Sequence, residues 1–379
     1  MRGLRRLQQL RAFRSLVWTP VAFAAVQVGL SLLLETGRRG LCDADYQAKE
    51  ERLRARLREA PGGPLVIVLG SSRTKMGLEA GLLCRARKGS RLQVFNFGLS
   101  ASGPVRELLC LHRLLDRGIR PNYLFVEVLP PALVQEGNFP FEGHWLRGER
   151  MQTAEIAWAR NYSSQPGDLI RQWCTARSCP CVASRRELRD LLQIDMPAEA
   201  RLNGQVLPGV DGHGWEFEFK TVSPLERTSY MQLTHGQYDG VLGESHLARP
   251  ATRAVTDLLD LCRAEGIPVA LVLMPEGSQF RAGYSSALRT SLDDFLKKVQ
   301  TQWHVPLIDG RTWIEDQYFW DGHHLLPEGA RIFTLRFARE GLEPLLQNWR
   351  SPFPTDQSRQ SLLAHREHRR LSPNPVPED

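Results

Sequence analysis

Two short stretches of the sequence carry residues that could perform chemistry. The first, VIVLGSSRTKMGL at residues 66–78, is an apolar run that stops at Gly70 and continues with Ser71 and Ser72. Glycine and serine are ordinary turn and N-cap residues, so this stretch alone is a weak signal. If a strand ends here and a helix begins, however, a serine lies at the edge of a sheet beside free N–H groups that can hold an anion.

The second stretch is YFWDGHHLLPEGARIF at residues 318–333, in which Asp321 precedes His324 by three residues and Pro327 marks a helix start. A carboxylate beside an imidazole fixes its tautomer, and an imidazole so held can accept a proton from a serine hydroxyl. The simpler interpretation is an N-capping aspartate beside a surface histidine. A third interpretation is a metal site on His323 and His324, but adjacent histidines point in different directions. We therefore predict no metal and no cofactor.

Continuous apolar runs alternate with helical patterns along most of the chain. Parallel strands that are covered on both faces have this pattern, so the sequence predicts an α/β fold, a doubly wound (flavodoxin-like) sheet of about five strands with helices on both faces. The predicted strands are Leu65–Leu69, Gln93–Phe97, Tyr123–Leu129, Val269–Met274 and Val305–Ile308. The predicted helices are roughly Thr74–Cys84, Val105–Asp116, Thr252–Glu265, Ser285–Gln302 and Pro327–Gln347.

The alternation breaks once, over residues 135–250, which are rich in Gly, Pro, Trp and charge. We expect this segment to be an insertion that caps the carboxyl ends of the strands, where open α/β sheets bind ligands, although it could also pack elsewhere. The predicted organisation is a basic flank and anchor (1–40), a helical linker (41–63), the two parts of the α/β domain (64–134 and 251–350) around the insertion, and a disordered Pro-rich tail (351–379).

The N-terminus has the features of a membrane anchor. The first 40 residues carry +6 of the formal net charge of +7, so the basic excess is a membrane flank rather than a nucleic-acid-binding face. An uncharged run over residues 15–34 could span a bilayer, with five arginines before it and two after it. We predict a single-pass helix with a cytoplasmic N-terminus and an extracytoplasmic or periplasmic remainder; a cleaved signal peptide and a buried soluble helix are the alternatives.

Of the seven cysteines, Cys84, Cys110 and Cys262 lie in apolar or helical contexts and are predicted to be buried thiols. A second group, in the stretch WCTARSCPCVAS, comprises Cys174, Cys179 and Cys181. An extracytoplasmic location would allow one disulfide among them, and the alternative is that they are free thiols in a surface loop.

Taken together, the two stretches resemble the SGNH (GDSL-like) hydrolase superfamily over roughly residues 64–134 and 251–347. Its first block is a G-D-S-like motif after the first strand; Gly70-Ser71-Ser72 matches it with Ser71 in place of the aspartate, which puts Ser72 at the nucleophile position. Its D-x-x-H motif before the last helix matches Asp321 and His324. The stretch VFNFGLSASG at residues 94–103 resembles the second block, which implies that the N–H groups of Gly98 and Ser72 form the oxyanion hole.

One part of the resemblance fails. The third block of the superfamily carries an Asn that completes the oxyanion hole, whereas the third strand here ends FVEVLPPAL, with Glu127 and no Asn. Losing one oxyanion donor typically costs about 10²–10³ in rate. The stretch MPEGSQFR after the fourth strand could supply a substitute or hold a substrate carboxylate, or be a polar loop with a local ion pair; its candidates are Glu276, Ser278, Gln279 and Arg281.

Within the superfamily, the anchor and the first two blocks are most similar to membrane-anchored proteins that act on acyl esters of cell-envelope polymers, such as those of alginate O-acetylation and teichoic-acid D-alanylation. The resemblance implies a serine esterase or O-acyltransferase with an acylated glycan or envelope polymer as substrate, and a membrane-bound acyltransferase as a partner. The rival hypothesis is a non-catalytic scaffold or glycan-binding protein of the same fold. A lipase-like α/β-hydrolase would have G-x-S-x-G and a wide gap between Asp and His, so it fits less well.

Overall fold

A computed structural model describes residues 16–32, 43–86, 91–134, 142–185, 211–219 and 221–347. The predicted basic flank, residues 1–14, and the predicted disordered tail, 351–379, lie outside the described residues. The chain divides into two compact units, Met1–Phe337 and Ala338–Asp379.

A five-stranded parallel sheet forms the centre of the first unit. Its strands are β1 (Leu65–Gly70), β2 (Gln93–Gly98), β3 (Tyr123–Glu127), β4 (Val269–Leu273) and β5 (Leu307–Asp309). They lie in the order β2-β1-β3-β4-β5, which reverses direction next to β1 and is the flavodoxin-like order. The sequence prediction of a doubly wound sheet of five parallel strands is therefore confirmed.

Helices cover both faces of the sheet because the strand residues are apolar on both sides. On one face, Ile67 and Leu69 of β1 share a buried core with Leu108 and Leu258. On the other face, the ring of Phe125 in β3 packs edge-on against Phe337 at a centroid distance of 5.0 Å. The helices of the α/β part are Ala44–Glu59, Ser72–Gly77, Ala80–Ala86, Pro104–Asp116, Arg249–Glu265, Ser278–Ala282, Ser286–Trp303 and Pro327–Phe337.

The predicted insertion, 135–250, divides into parts that pack in different places. Its first described part contains the helices Glu142–Trp145, Thr153–Ala159, Pro166–Ser178 and Pro180–Ala183. This part is tied to the helix Pro104–Asp116, where Arg113 donates to Glu155 at 2.8 Å. The later part, residues 211–219 and the helix Pro224–Leu242, lies at the carboxyl ends of the strands and lines the cleft described below.

The cysteines described in the first part of the insertion are free thiols. Cys174 is exposed, and the Sγ atoms of Cys179 and Cys181 are 3.8 Å apart. Cys110 and Cys262 are buried, and Cys84 is half-buried. Among the cysteines that the structure describes, the thiols are therefore free, but Cys174 and Cys181 lie in helices rather than in the predicted loop.

The predicted membrane anchor, 15–34, contains a helix over residues 16–32. Of the helices within the described ranges, none combines the length and the apolar character needed to cross a membrane.

The predicted helix Pro327–Gln347 ends early, at Phe337. In the second unit, the described residues form a π-helical turn, Ala338–Leu342, and a short helix, Glu343–Gln347.

Candidate active site

Ser72, His324 and Asp321 meet at the carboxyl ends of the strands. The Ser72 hydroxyl donates to Nε2 of His324 across 2.7 Å, and Nδ1–H of His324 donates to Oδ2 of Asp321 across 2.6 Å. Both distances are within hydrogen-bond reach of a nucleophile and its base. The structure thus brings together the three residues that the sequence proposes as a triad, although 252 positions separate Ser72 from His324.

The turn between β1 and the next helix places Ser72. Ser71 is the N-cap, and its Oγ accepts a hydrogen bond from the Arg73 N–H at 3.1 Å, so Ser72 becomes the first helical residue. Gly70 allows the helix to approach the strand closely: a Cβ there would lie 2.1 Å from Thr74 Oγ1. Since Ser71 points into the protein and Ser72 into the cleft, the two serines have different roles.

The side chain of Glu127 fixes this turn, a role that is not evident from the sequence. It is buried at the end of β3, and its carboxylate accepts from the Ser71 N–H at 2.7 Å, the Ser71 hydroxyl at 3.0 Å and the Thr74 hydroxyl at 2.6 Å. Glu127, in the strand that lacks the third-block Asn, therefore fixes the nucleophile turn through three hydrogen bonds.

The loop that carries Asp321 and His324 is a tight turn. Gly322 has a φ of 92°, a left-handed conformation that favours glycine, and its carbonyl accepts from the Gly277 N–H at 2.7 Å. The Asp321 Oδ1 accepts the backbone N–H of His323 at 3.1 Å and that of His324 at 2.8 Å. Burial alone would raise the pKa of Asp321, but the two adjacent imidazoles outweigh it and hold that pKa well below its usual range. Asp321 is therefore an anion at neutral pH.

His323 also contacts the triad, which the sequence did not predict. Its Nε2 lies 3.2 Å from Asp321 Oδ2, and its ring stacks on Phe280 at 5.0 Å between centroids. Burial lowers the pKa of His323 to about 3, despite the adjacent Asp321 carboxylate, so the ring is neutral at physiological pH.

The predicted role of Gly98 in the oxyanion hole is wrong for the arrangement seen here. Its N–H already donates to the Asn96 side-chain oxygen at 2.9 Å. Gly98 instead allows close packing, because a Cβ at this position would lie 2.4 Å from the Lys75 nitrogen. The Ser72 N–H occupies the first helical position, where the helix offers no carbonyl partner, and it remains a candidate donor.

The four residues predicted to bind substrate after β4 do not line the cleft. Glu276 is fully buried, where it accepts from Arg73 at 2.8 Å and from the Tyr284 hydroxyl at 2.7 Å, so it cannot reach a substrate.

The other three also point elsewhere. Ser278 donates through its N–H to Asp316 at 2.7 Å, Gln279 is exposed, and Arg281 donates to the Arg311 carbonyl at 2.9 Å. The prediction placed the segment at the correct end of β4, but a helix begins at Ser278 and turns these side chains away from Ser72.

A cleft of about 290 Å³ opens beside Ser72 and His324. One wall is aromatic: Trp320 stacks on the His324 ring at 5.2 Å and contacts Phe219 and Tyr230 edge-on, each at 5.0 Å. The insertion also contributes five further residues to the lining, namely Glu218, Leu233, Thr234, Gln237 and Tyr238. The volume lies just below the range of about 300–1,000 Å³ that is usual for ligand pockets, so the cleft suits a small ligand.

Within the described ranges, one group of residues has the composition of a metal site: Asp321, His323 and His324, with ligand atoms within 4.8 Å of one another. Their polar atoms already face one another, because Asp321 Oδ2 lies 2.6 Å from Nδ1 of His324 and 3.2 Å from Nε2 of His323. The Arg73 guanidinium, 3.4 Å from His323 Nδ1, also places a permanent positive charge against the group. The arrangement therefore fits a proton-transfer triad better than a cation.

A doubly wound sheet that carries a Ser–His–Asp triad at the carboxyl ends of its strands defines a site of the serine-hydrolase class. No protein-family model matches this chain, and no curated protein matches it.

Solved structures give weak matches to enzymes of this kind. One is the esterase AlinE4, described as an SGNH-hydrolase family esterase, with 12% identity over 83% of this chain and 98% of that chain and a TM-score of 0.28. Another is a catalytic mutant of Axe2, an acetylxylan esterase from Geobacillus stearothermophilus, with 12% identity over 74% and 94% and a TM-score of 0.34. A third is LAE5, an alpha/beta hydrolase enzyme from the metagenome of Lake Arreo, with 13% identity over 73% and 94% and a TM-score of 0.32. At such low similarity, the class of the site follows from its own triad.

Proposed function

We propose that this protein is an SGNH-type serine esterase or O-acyltransferase that forms an acyl-enzyme on Ser72. The observation that carries the proposal is the continuous pair of hydrogen bonds from Ser72 Oγ through His324 to Asp321, at 2.7 Å and 2.6 Å. The arrangement allows a serine hydroxyl to lose its proton to an imidazole that a buried carboxylate orients.

In the proposed reaction, Ser72 Oγ attacks the carbonyl carbon of an ester while its proton passes to His324 Nε2. The Ser72 N–H donates to the oxyanion. His324 then gives the proton to the leaving alcohol as the carbon–oxygen bond breaks, which leaves the acyl group on Ser72. Water or a sugar hydroxyl attacks this ester in the same way while its proton passes to His324. The bond between the acyl carbon and Ser72 Oγ then breaks, and His324 returns the proton to Ser72 Oγ. The acyl group is thereby hydrolysed or transferred.

We further propose that the substrate is an acylated glycan or another acylated polymer of the cell envelope, with a membrane-bound acyltransferase as a partner. The support is the resemblance of the sequence blocks together with the cleft, whose aromatic wall of Trp320, Phe219 and Tyr230 offers apolar faces to a sugar ring. Glu218 and Gln237 add hydrogen-bonding groups at the rim for its hydroxyls.

The lining of the cleft predicts a preference for short acyl esters. We expect p-nitrophenyl acetate to be hydrolysed, with kcat/KM for p-nitrophenyl octanoate lower by about tenfold or more, because a long apolar chain would cover the polar side chains Glu218, Thr234 and Gln237 without offering them hydrogen bonds. Initial rates with both esters test this, with the Ser72→Ala variant as the background control. Equal or better hydrolysis of the octanoate would contradict the assignment of the cleft as the acyl site.

A non-catalytic protein of the same fold is the second candidate, and one feature favours it. Two of the three oxyanion donors implied by the resemblance are not available: the Asn is missing after the third strand, and the Gly98 N–H already donates to Asn96. A scaffold or glycan-binding partner of a membrane acyltransferase would need none of these donors. Labelling by a fluorophosphonate, which requires an activated serine, separates the two candidates.

We propose that residues 15–34 anchor the protein in the membrane, with the N-terminus in the cytoplasm. The support is the uncharged run and its flanking arginines. The helix over residues 16–32 also exposes large apolar side chains, among them Leu16, Trp18, Phe23 and Leu32.

This topology predicts the behaviour of a reporter fusion. Alkaline phosphatase fused after Ser351 should be active in a bacterial host, because it would lie outside the cytoplasm, whereas a fusion lacking residues 1–34 should be inactive. Fractionation should recover the full-length fusion with membranes. A fusion active only with a cytoplasmic reporter, or a mature N-terminus beyond residue 34, would contradict the proposed anchor.

A further inference from the structure

A second histidine shares the triad carboxylate. Asp321 Oδ2 lies 2.6 Å from Nδ1 of His324 and 3.2 Å from Nε2 of His323, while Oδ1 accepts the two backbone N–H groups of these histidines. Both oxygens of Asp321 are thus fully engaged. His323 is the other side-chain partner of Asp321, and its imidazole is buried. Burying a polar ring costs free energy unless its nitrogens are hydrogen-bonded.

The hydrogen bonds on the far side of His323 determine its tautomer. Arg73 Nε lies 3.4 Å from His323 Nδ1, and because a guanidinium only donates, Nδ1 must be the acceptor. The single ring proton of the neutral imidazole then lies on Nε2, facing Asp321. Arg73 is itself held by Glu276 at 2.8 Å, and Glu276 also accepts from Tyr284 at 2.7 Å.

The His323 ring has little freedom to move. It stacks on Phe280 with an interplanar angle of 8° and meets the edge of Tyr238 at a centroid distance of 5.1 Å. The titratable and charged groups against the ring are Asp321, His324, Arg73 and Tyr238. The pKa of about 3 that burial imposes agrees with a ring that stays neutral while Asp321 carries the charge.

We propose that His323 is a positioning residue for the triad: anchored by Arg73, it donates to Asp321 and holds that carboxylate in the orientation that His324 requires. The proposal rests on the catalytic function proposed above. The donation also withdraws part of the charge of Asp321 Oδ2 from His324, because two donors share one oxygen. His323 should therefore affect both the placement and the basicity of the triad imidazole.

Two substitutions of His323 separate positioning from packing. His323→Gln keeps a carbonyl for Arg73 and an N–H for Asp321, whereas His323→Phe keeps a stacked ring and loses both hydrogen bonds. We expect His323→Phe to lower kcat by about 10–100-fold with KM nearly unchanged, and His323→Gln to retain most of the activity. The acid limb of the kcat/KM profile should move to higher pH by roughly half to one unit in the Phe variant alone. In that variant Asp321 Oδ2 has no second donor, so it stabilises the protonated form of His324 more strongly.

A measurement on the wild-type protein keeps the proposal testable if His323→Phe does not fold or if no ester is turned over. In a ¹⁵N-histidine spectrum, assigned by the signals lost in His323→Gln, His323 should show a neutral ring protonated on Nε2 from pH 5 to pH 8. A charged ring or protonation on Nδ1 would overturn the proposal. So would equal kcat values and pH profiles for the two variants. Failure of the wild type to react with esters or fluorophosphonate would instead count against the catalytic function, and the spectrum would still report on His323.

Discussion

Replacing Ser72 by alanine should abolish both ester hydrolysis and fluorophosphonate labelling, and His324→Ala should do nearly the same. Ser72 Oγ is the atom that hydrogen-bonds to His324 Nε2, so each variant removes one end of the proton transfer. Members of a triad act as a unit, and losses of about 10⁴–10⁶ in kcat are expected for either change. The double variant Ser72→Ala/His324→Ala should be no worse than the single ones. Initial rates and gel-based labelling measure these effects.

Ser71→Ala is the matched control, because it removes the same hydroxyl one residue earlier. The Ser71 hydroxyl donates to Glu127 at 3.0 Å and caps the following helix through the Arg73 N–H. Its loss should cost about 1 kcal/mol of stability and reduce kcat far less than Ser72→Ala. If labelling survived Ser72→Ala and disappeared in Ser71→Ala, Ser71 would be the nucleophile. If all variants and the wild type failed to label, the non-catalytic candidate would replace the enzyme.

The fold was predictable because parallel strands buried on both faces read as unbroken apolar runs. The strands β1 and β2 extend one residue beyond their predicted ends, to Gly70 and Gly98. The edge strand β5 was least well placed: Val305–Ile308 was predicted and Leu307–Asp309 is observed. The predicted run contains Pro306, which has no N–H to donate to the ladder, and the strand begins only after it, at Leu307.

The meeting of Ser72 with Asp321 and His324 was also predictable, because the ends of parallel strands lie along one edge of a sheet. The surroundings of the triad were not. Arg73 contacts His323 across 250 positions of sequence, and nothing local in either residue indicates the pair. The Gly98 N–H shows the opposite failure: a motif implied that it was free, yet the Asn96 side chain two residues earlier satisfies it. Side-chain direction decided both cases, and residue spacing alone does not determine it.

Glu127→Gln should weaken the protein and slow the reaction together, because one carboxylate carries the turn that presents Ser72. The carboxylate accepts three hydrogen bonds, from the N–H and hydroxyl of Ser71 and from the Thr74 hydroxyl. An amide of the same size has one accepting oxygen and one donating NH₂, so at least one of these donors loses its acceptor. A buried donor without a partner costs about 1–3 kcal/mol, and we expect the free energy of unfolding to fall by about this amount.

The expected effect of Glu127→Gln on catalysis follows from the same geometry. A shift of Ser72 by about 1 Å relative to His324 would cost about 10²-fold in kcat, and KM should change little because Glu127 does not line the cleft. Thr74→Val is the matched control: it removes one of the three donors and leaves the two Ser71 bonds in place, so both losses should be smaller. Urea unfolding followed by circular dichroism gives the stability, and ester hydrolysis gives kcat. Wild-type activity in a destabilised Glu127→Gln variant would show that Glu127 supports the fold without placing the nucleophile. Unchanged stability and activity together would show that the turn holds Ser72 without this carboxylate.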